Sequence, residues 1–209
     1  MTIYDLKPAF QKLLRPTVKL LINLGLTPNT VTIITCFLSL VMATILYLNP
    51  RNSIILLTIP IFMFCRMALN AIDGMMAKEH GMITPLGTLL NEFTDVLADS
   101  ALYLAFCSQV LISEKLIVAI TLLAVLSEFI GVTATTIGAS RRYEGPMGKS
   151  DRAFIFGLVA LLLGLGLQHQ QLYNCLFVLV LLLLALTIKN RIASALAEVT
   201  QLDYLKSKE

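Results

Sequence analysis

Between Asn70 and Asp95 the chain reads N-x-x-D-G-x-x-A-K-(x8)-G-x-x-x-N-x-x-x-D. Asn70, Asp73, Gly74 and Ala77 follow i, i+3, i+4, i+7 spacing and so share one face of a helix. Gly87, Asn91 and Asp95 are four apart and share a face of the next. If those two helices are antiparallel neighbours, their carboxylate and amide oxygens converge. Such a donor set suits a hard cation, Mg²⁺ or Mn²⁺, which also accepts water and substrate phosphate oxygens. Gly74, Ala77 and Gly87 remove side-chain bulk where a ligand approaches backbone, and Lys78 offers positive charge to a phosphate.

These groups lie where one very apolar segment ends and the next begins. Of the 209 residues, 57% are hydrophobic and 14% charged, and mean hydropathy is +0.81, far more apolar than a soluble domain. The reading is a single all-α integral membrane domain over residues 1–209, in which polar groups beside lipid usually have a function. Cys36, Cys65, Cys107 and Cys175 stand singly in apolar runs, which argues against a disulfide frame or a zinc site. The N-terminus carries Asp5, Lys7, Lys12, Arg15 and Lys19 and lacks the pattern of a secretory signal.

Residues 1–26 alternate apolar and basic positions near the helical period, interrupted by Pro8 and Pro16. They suggest a broken amphipathic helix lying on an anionic membrane surface. A core over 27–190 follows, with six predicted spans: Asn29–Leu48, Ser53–Lys78, Pro85–Ile112, Leu116–Gly138, Asp151–Gln168 and Leu172–Ile188. Thr27-Pro28 has the residue types of a cap for the first. The second and third are longer than the bilayer requires, so their facing ends project into the headgroup region with the polar residues on them. Residues 191–209 read as a tail. Thirteen of the sixteen Lys and Arg fall on one side of this topology, only Arg51 and Lys115 on the other, and Arg66 lies within a span. That asymmetry predicts a cytoplasmic location for both termini and for the candidate site.

The motif is similar to that of the CDP-alcohol phosphatidyltransferase family, D-x-x-D-G-x-x-A-R-(x8)-G-x-x-x-D-x-x-x-D, and within it resembles the bacterial YnbA-type branch. Pro28-Asn29-Thr30-Val31-Thr32 resembles the family's start to its first span, so the likeness covers most of the chain. The resemblance implies an enzyme of phospholipid biosynthesis in a bacterial inner membrane. Such an enzyme transfers a substituted phosphoryl group from a CDP-alcohol, usually CDP-diacylglycerol, to an acceptor alcohol with release of CMP. It implies a Mg²⁺ or Mn²⁺ cofactor, membrane lipid and a small, in some members phosphorylated, acceptor as partners, a homodimer, and no nucleic acid. Asp95 would be the general base, Asp73, Asp95, Asn70 and Asn91 the metal ligands, and Gly74, Ala77, Lys78 and Gly87 the CDP site.

Three positions depart from the family pattern: Asn70 and Asn91 replace aspartates, and Lys78 replaces an arginine. Two negative charges are lost, and Lys78 lacks bidentate geometry. Glu92 and Asp99, near Asn91 and Asp95, are candidates to restore charge. Lys149 and Arg152 open the fifth predicted span, where they either bind an acceptor or lipid phosphate or simply flank a capped helix start. Arg66 is expected to pair with Glu128 or Asp99. A silent CDP-lipid-binding relative is the main rival reading, because of Asn70 and Asn91. A small cation or metabolite transporter lined by Arg66, Glu92, Asp95, Asp99 and Glu128 is weaker, since no inverted repeat is evident.

Overall fold

The computed structural model describes residues 3–206, with side chains from residue 10 to 205. Seven α-helices follow one another: α1 Ile3–Asn23, α2 Pro28–Leu48, α3 Ser53–Glu79, α4 Pro85–Leu104, α5 Glu114–Thr133, α6 Lys149–Gly164 and α7 Gln170–Lys206. Short 3₁₀ turns extend α4 through Ser108 and α5 through Ile137. Among the described residues there is no strand.

Local chemistry sets the helix ends. Thr27 caps α2 by accepting from Thr30 N at 3.2 Å, and Thr84 caps α4 by accepting from Gly87 N at 3.0 Å. A proline follows each cap, where its missing N–H costs nothing. Asp151 accepts from Gly148 N at 2.9 Å at the start of α6. Gly166, at φ +84°, closes that helix; a Cβ there would meet nothing within 4 Å, so this glycine serves the turn rather than packing.

Among the described residues four helices are long and apolar enough to cross a membrane: α2, α3, α5 with its extension, and α7. α4 carries Asn91, Glu92, Asp95 and Asp99, and α6 has only 16 residues, about 24 Å of helix. Three expectations are corrected. α1 is continuous through Pro8 and Pro16 rather than broken. The third predicted span ends as a helix at Leu104, before its turn. The boundary at 190/191 falls inside α7, which runs on to Lys206 because Arg191 and Ala195 are buried against the loop after α5 and its neighbours.

The core is a column of aromatic rings. Tyr103 of α4 stacks on Phe156 of α6 at 4.3 Å between centroids, and Phe156 also meets Phe106 and Phe177. Gly164 brings α6 close to α3: a Cβ there would lie 2.9 Å from the Leu57 side chain. At the other end Val18 of α1 is buried with Ile72, Met75 and Met76 of α3. This places the surface-facing end of α3, with Asn70 to Lys78, between α1, α2 and α4.

Candidate active site

α3 and α4 are joined by the turn His80–Thr84, in which Gly81 takes φ +66°. The helices therefore run antiparallel and bring the two halves of the motif together. Between them and the first turn of α2 lies a cleft of about 370 Å³. Its wall includes Asn70, Asp73, Gly74, Ala77 and Lys78 from α3, and Gly87, Asn91 and Glu92 from α4. Gly74 leaves open space in front of its backbone: a Cβ there would meet nothing within 4 Å. At Gly87 the constraint is different. A Cβ would approach Asn29 Oδ1 to 2.6 Å, so this glycine lets α2 close over α4.

Asp73 is 4% exposed and accepts a 2.6 Å hydrogen bond from Thr32 Oγ1. Thr32 Oγ1 also lies 3.0 Å from Pro28 O, and its single proton is shared between that carbonyl and the closer carboxylate. Asp95 is attached to the cleft through Asn70, whose Nδ2 donates to its Oδ1 at 2.7 Å. The ammonium of Lys149, from the first turn of α6, pairs with its other oxygen. Arg66 lies 3.8 Å from Oδ1.

The donors near the cleft are therefore two carboxylates, Asp73 and Asp95, and the amides of Asn70 and Asn91. Among the described residues no cluster of three His, Cys, Asp or Glu side chains is arranged to hold a metal. A cation already stands at Asp95, in the form of Lys149. This oxygen-only set fits a divalent ion that takes its remaining ligands from water and substrate phosphate, as Mg²⁺ does.

Two candidates for the missing charge are accounted for otherwise. Asp99 is 4% exposed and held by Arg66 Nη1 at 2.5 Å and Arg152 Nη2 at 3.6 Å. Glu92 pairs with Arg141 Nε at 2.5 Å. Each neutralises an arginine. Of the two partners expected for Arg66, the fold selects Asp99. Arg152, expected either to bind phosphate or to flank the helix start, is 0% exposed and lies 3.0 Å from Glu128 in an internal ion pair. Glu128 also meets Arg141 at 3.3 Å and Arg191 at 3.5 Å, forming a buried charge network beneath the cleft.

Sequence spacing assigns no role to Asn29, Thr32 or Tyr143. The first two lie in the Pro-Asn-x-x-Thr run, whose type is legible but whose partners require the folded chain. Tyr143 lines the cleft with Arg141 4.0 Å above its ring centroid. It follows two arginines in a loop, and no spacing rule points to it.

Comparison with known proteins decides the family. Residues 25–197 match the model of CDP-alcohol phosphatidyltransferase. The chain belongs to this family. As a CDP-alcohol phosphatidyltransferase family member it is 43% identical over 196 residues to the inner membrane protein YnbA of Escherichia coli K12, covering 94% of this chain and 97% of that one. It is 29% identical over 173 residues to phosphatidylinositol phosphate synthase of Corynebacterium glutamicum, covering 80% and 77%. The family fold is also seen in the phosphatidylinositol phosphate synthase PgsA1 of Mycobacterium tuberculosis. The crystal structure with CDP-DAG bound gives a TM-score of 0.72 at 19% identity, over 86% of this chain and 92% of that one. The complex with manganese and citrate gives 0.71 at 20% identity, over 86% and 87%.

Proposed function

We propose that this protein transfers a substituted phosphoryl group from a CDP-alcohol, with CDP-diacylglycerol as the expected donor, to an acceptor alcohol. CMP is the leaving group and the product is a phosphodiester lipid. The observation that carries this reading is the α2–α3–α4 cleft, which Asp73, Gly74, Ala77, Lys78 and Gly87 line and to which Asn70 ties Asp95. The six helices α2–α7 would form the membrane core, with α1 at the interface and the cleft on the cytoplasmic side. The basic-residue asymmetry supports that orientation in a bacterial inner membrane, and the family resemblance supports a homodimer.

In this reading Gly74 and Ala77 admit the nucleotide against the α3 backbone, and Lys78, near the end of α3, meets a phosphate oxygen. Asp95 accepts the proton of the acceptor hydroxyl as it attacks the β-phosphorus of the CDP-alcohol; the bond to the CMP oxygen breaks. Thr32 holds Asp73 in place for its ligand. A divalent ion held by Asp73, with Asp95 and the amide oxygens of Asn70 and Asn91 joining it once substrate draws Lys149 away, would supply positive charge to the diphosphate. Lys149, 32% exposed at its side chain, is free enough to turn from Asp95 toward a phosphorylated acceptor.

The test is lipid mass spectrometry on protein in nanodiscs containing CDP-diacylglycerol, with Mn²⁺ or Mg²⁺ and pooled alcohols and phosphorylated polyols. A new phosphodiester lipid, abolished by EDTA, is expected. One observation favours a second reading, a silent CDP-lipid binder: Asn70 and Asn91 bring no negative charge to the site. Metal-dependent CDP binding with no new lipid from any acceptor would support it.

A further inference from the structure

Asp95 has both carboxylate oxygens engaged: Oδ1 by the Asn70 amide at 2.7 Å, Oδ2 by the Lys149 ammonium. Asp73, by contrast, is held by Thr32, a neutral group. The site thus has an uncompensated carboxylate on the α2 side and a compensated one on the α6 side.

Charge arithmetic sharpens the contrast. Asp73 and Asp95 contribute −2, and Lys149 and Lys78 contribute +2, leaving no net charge around the cleft; the neighbouring acids and arginines pair with one another. One divalent ion brings this set to +2, suitable for a diphosphate. Two would bring it to +4, with cations crowded at low dielectric, where like charges repel strongly. Asn70 and Asn91 contribute no charge to offset a second ion.

We infer that Lys149 is a built-in cation of this site, occupying at Asp95 the place of a second divalent ion, so that the chain binds a single divalent ion on the Asp73 side. This rests on the metal-dependent reading above and specifies its stoichiometry. Lys149 is suited to the role by position: α6 begins at this residue, and Gly148 and Asp151 fix the first turn. It is a positioning residue for Asp95, holding the carboxylate oriented until substrate arrives.

The test is Mn²⁺ titration followed by electron paramagnetic resonance on purified protein in lipid nanodiscs, without substrate. The wild type is expected to bind one Mn²⁺ per chain. Lys149→Met should gain a second Mn²⁺, or bind the first at least about tenfold more tightly through the freed carboxylate. Lys149→Arg, which keeps the charge, should remain at one with wild-type affinity. Lys149→Gln, which keeps a polar side chain but removes the charge, should behave as Lys149→Met and serves as a second variant if Lys149→Met is poorly folded. Two Mn²⁺ in the wild type, or identical stoichiometry and affinity in Lys149→Met and the wild type, would overturn the inference while leaving the metal-dependent reading intact. No Mn²⁺ in any folded variant would overturn both.

Discussion

Residue by residue, the acids divide into those that face the chemistry and those that neutralise arginines. Asp73→Asn removes the buried carboxylate oriented by Thr32, and metal-dependent CDP binding should be lost while the fold is kept. Thermal stabilisation by CDP plus Mn²⁺, compared between wild type and variant, checks this. Glu128→Gln should behave in the opposite way. It leaves Arg141, Arg152 and Arg191 short of a partner in a buried setting, so unfolding should become easier by about 3–5 kcal/mol, the usual cost of breaking a buried charge pair. Denaturation in detergent measures it. Sequence spacing identifies Asp73, Gly74, Asp95 and Asn70 because helical periodicity puts them on facing stripes. It does not distinguish Asp95 from Asp99, four residues further on the same stripe, because the difference lies in Arg66 and Arg152, which reach Asp99 from α3 and α6.

Among the elements, α2, α3 and α4 make the cleft, and their close approach depends on Gly87. Gly87→Ala should turn the Asn29 side chain aside at a cost of no more than about 1 kcal/mol, and weaken CDP binding along with it. Chemical denaturation paired with CDP titration reads both effects. α1 is attached mainly through Val18 and its apolar neighbours on α3. The Arg15–Glu79 pair, at 3.3 Å, has side chains 52% and 35% exposed, and water screens it. Arg15→Ala should therefore change stability by no more than about 1 kcal/mol in the same denaturation assay. The helix start at Thr27 is legible from cap chemistry, whereas the caps at Asn52 and Thr84 emerge with the fold. The end of α7 is not: Arg191 reads as the start of a basic tail, and only the folded chain puts Glu144 O, Tyr143 O and Ser127 O around its guanidinium.

Across the whole molecule, exposed residues such as Phe37, Ile61, Leu122 and Leu182 coat the outside of the bundle, while charge is gathered inside near one end. That arrangement suits a site that takes a lipid-borne donor from the bilayer and a soluble acceptor from water. The class of fold is readable from hydropathy alone. The count of spans is harder to read, because α4 carries Glu92, Asp95 and Asp99 and α6 is short. A homodimer predicts a particle of two chains in nanodiscs or mild detergent, which light scattering with protein-mass correction would show as twice the 23.0 kDa chain mass.

Everything proposed for the cleft turns on Asp95 serving a CMP-releasing transfer. CMP release from CDP-diacylglycerol should be measured with Mn²⁺ or Mg²⁺ and the pooled acceptors, for wild type and Asp95→Asn. The expected result is metal-dependent release that falls by about 10²–10⁴-fold in the variant, the range for a lost general base. Release equal in the two proteins, or none from the wild type with any acceptor, would contradict that role.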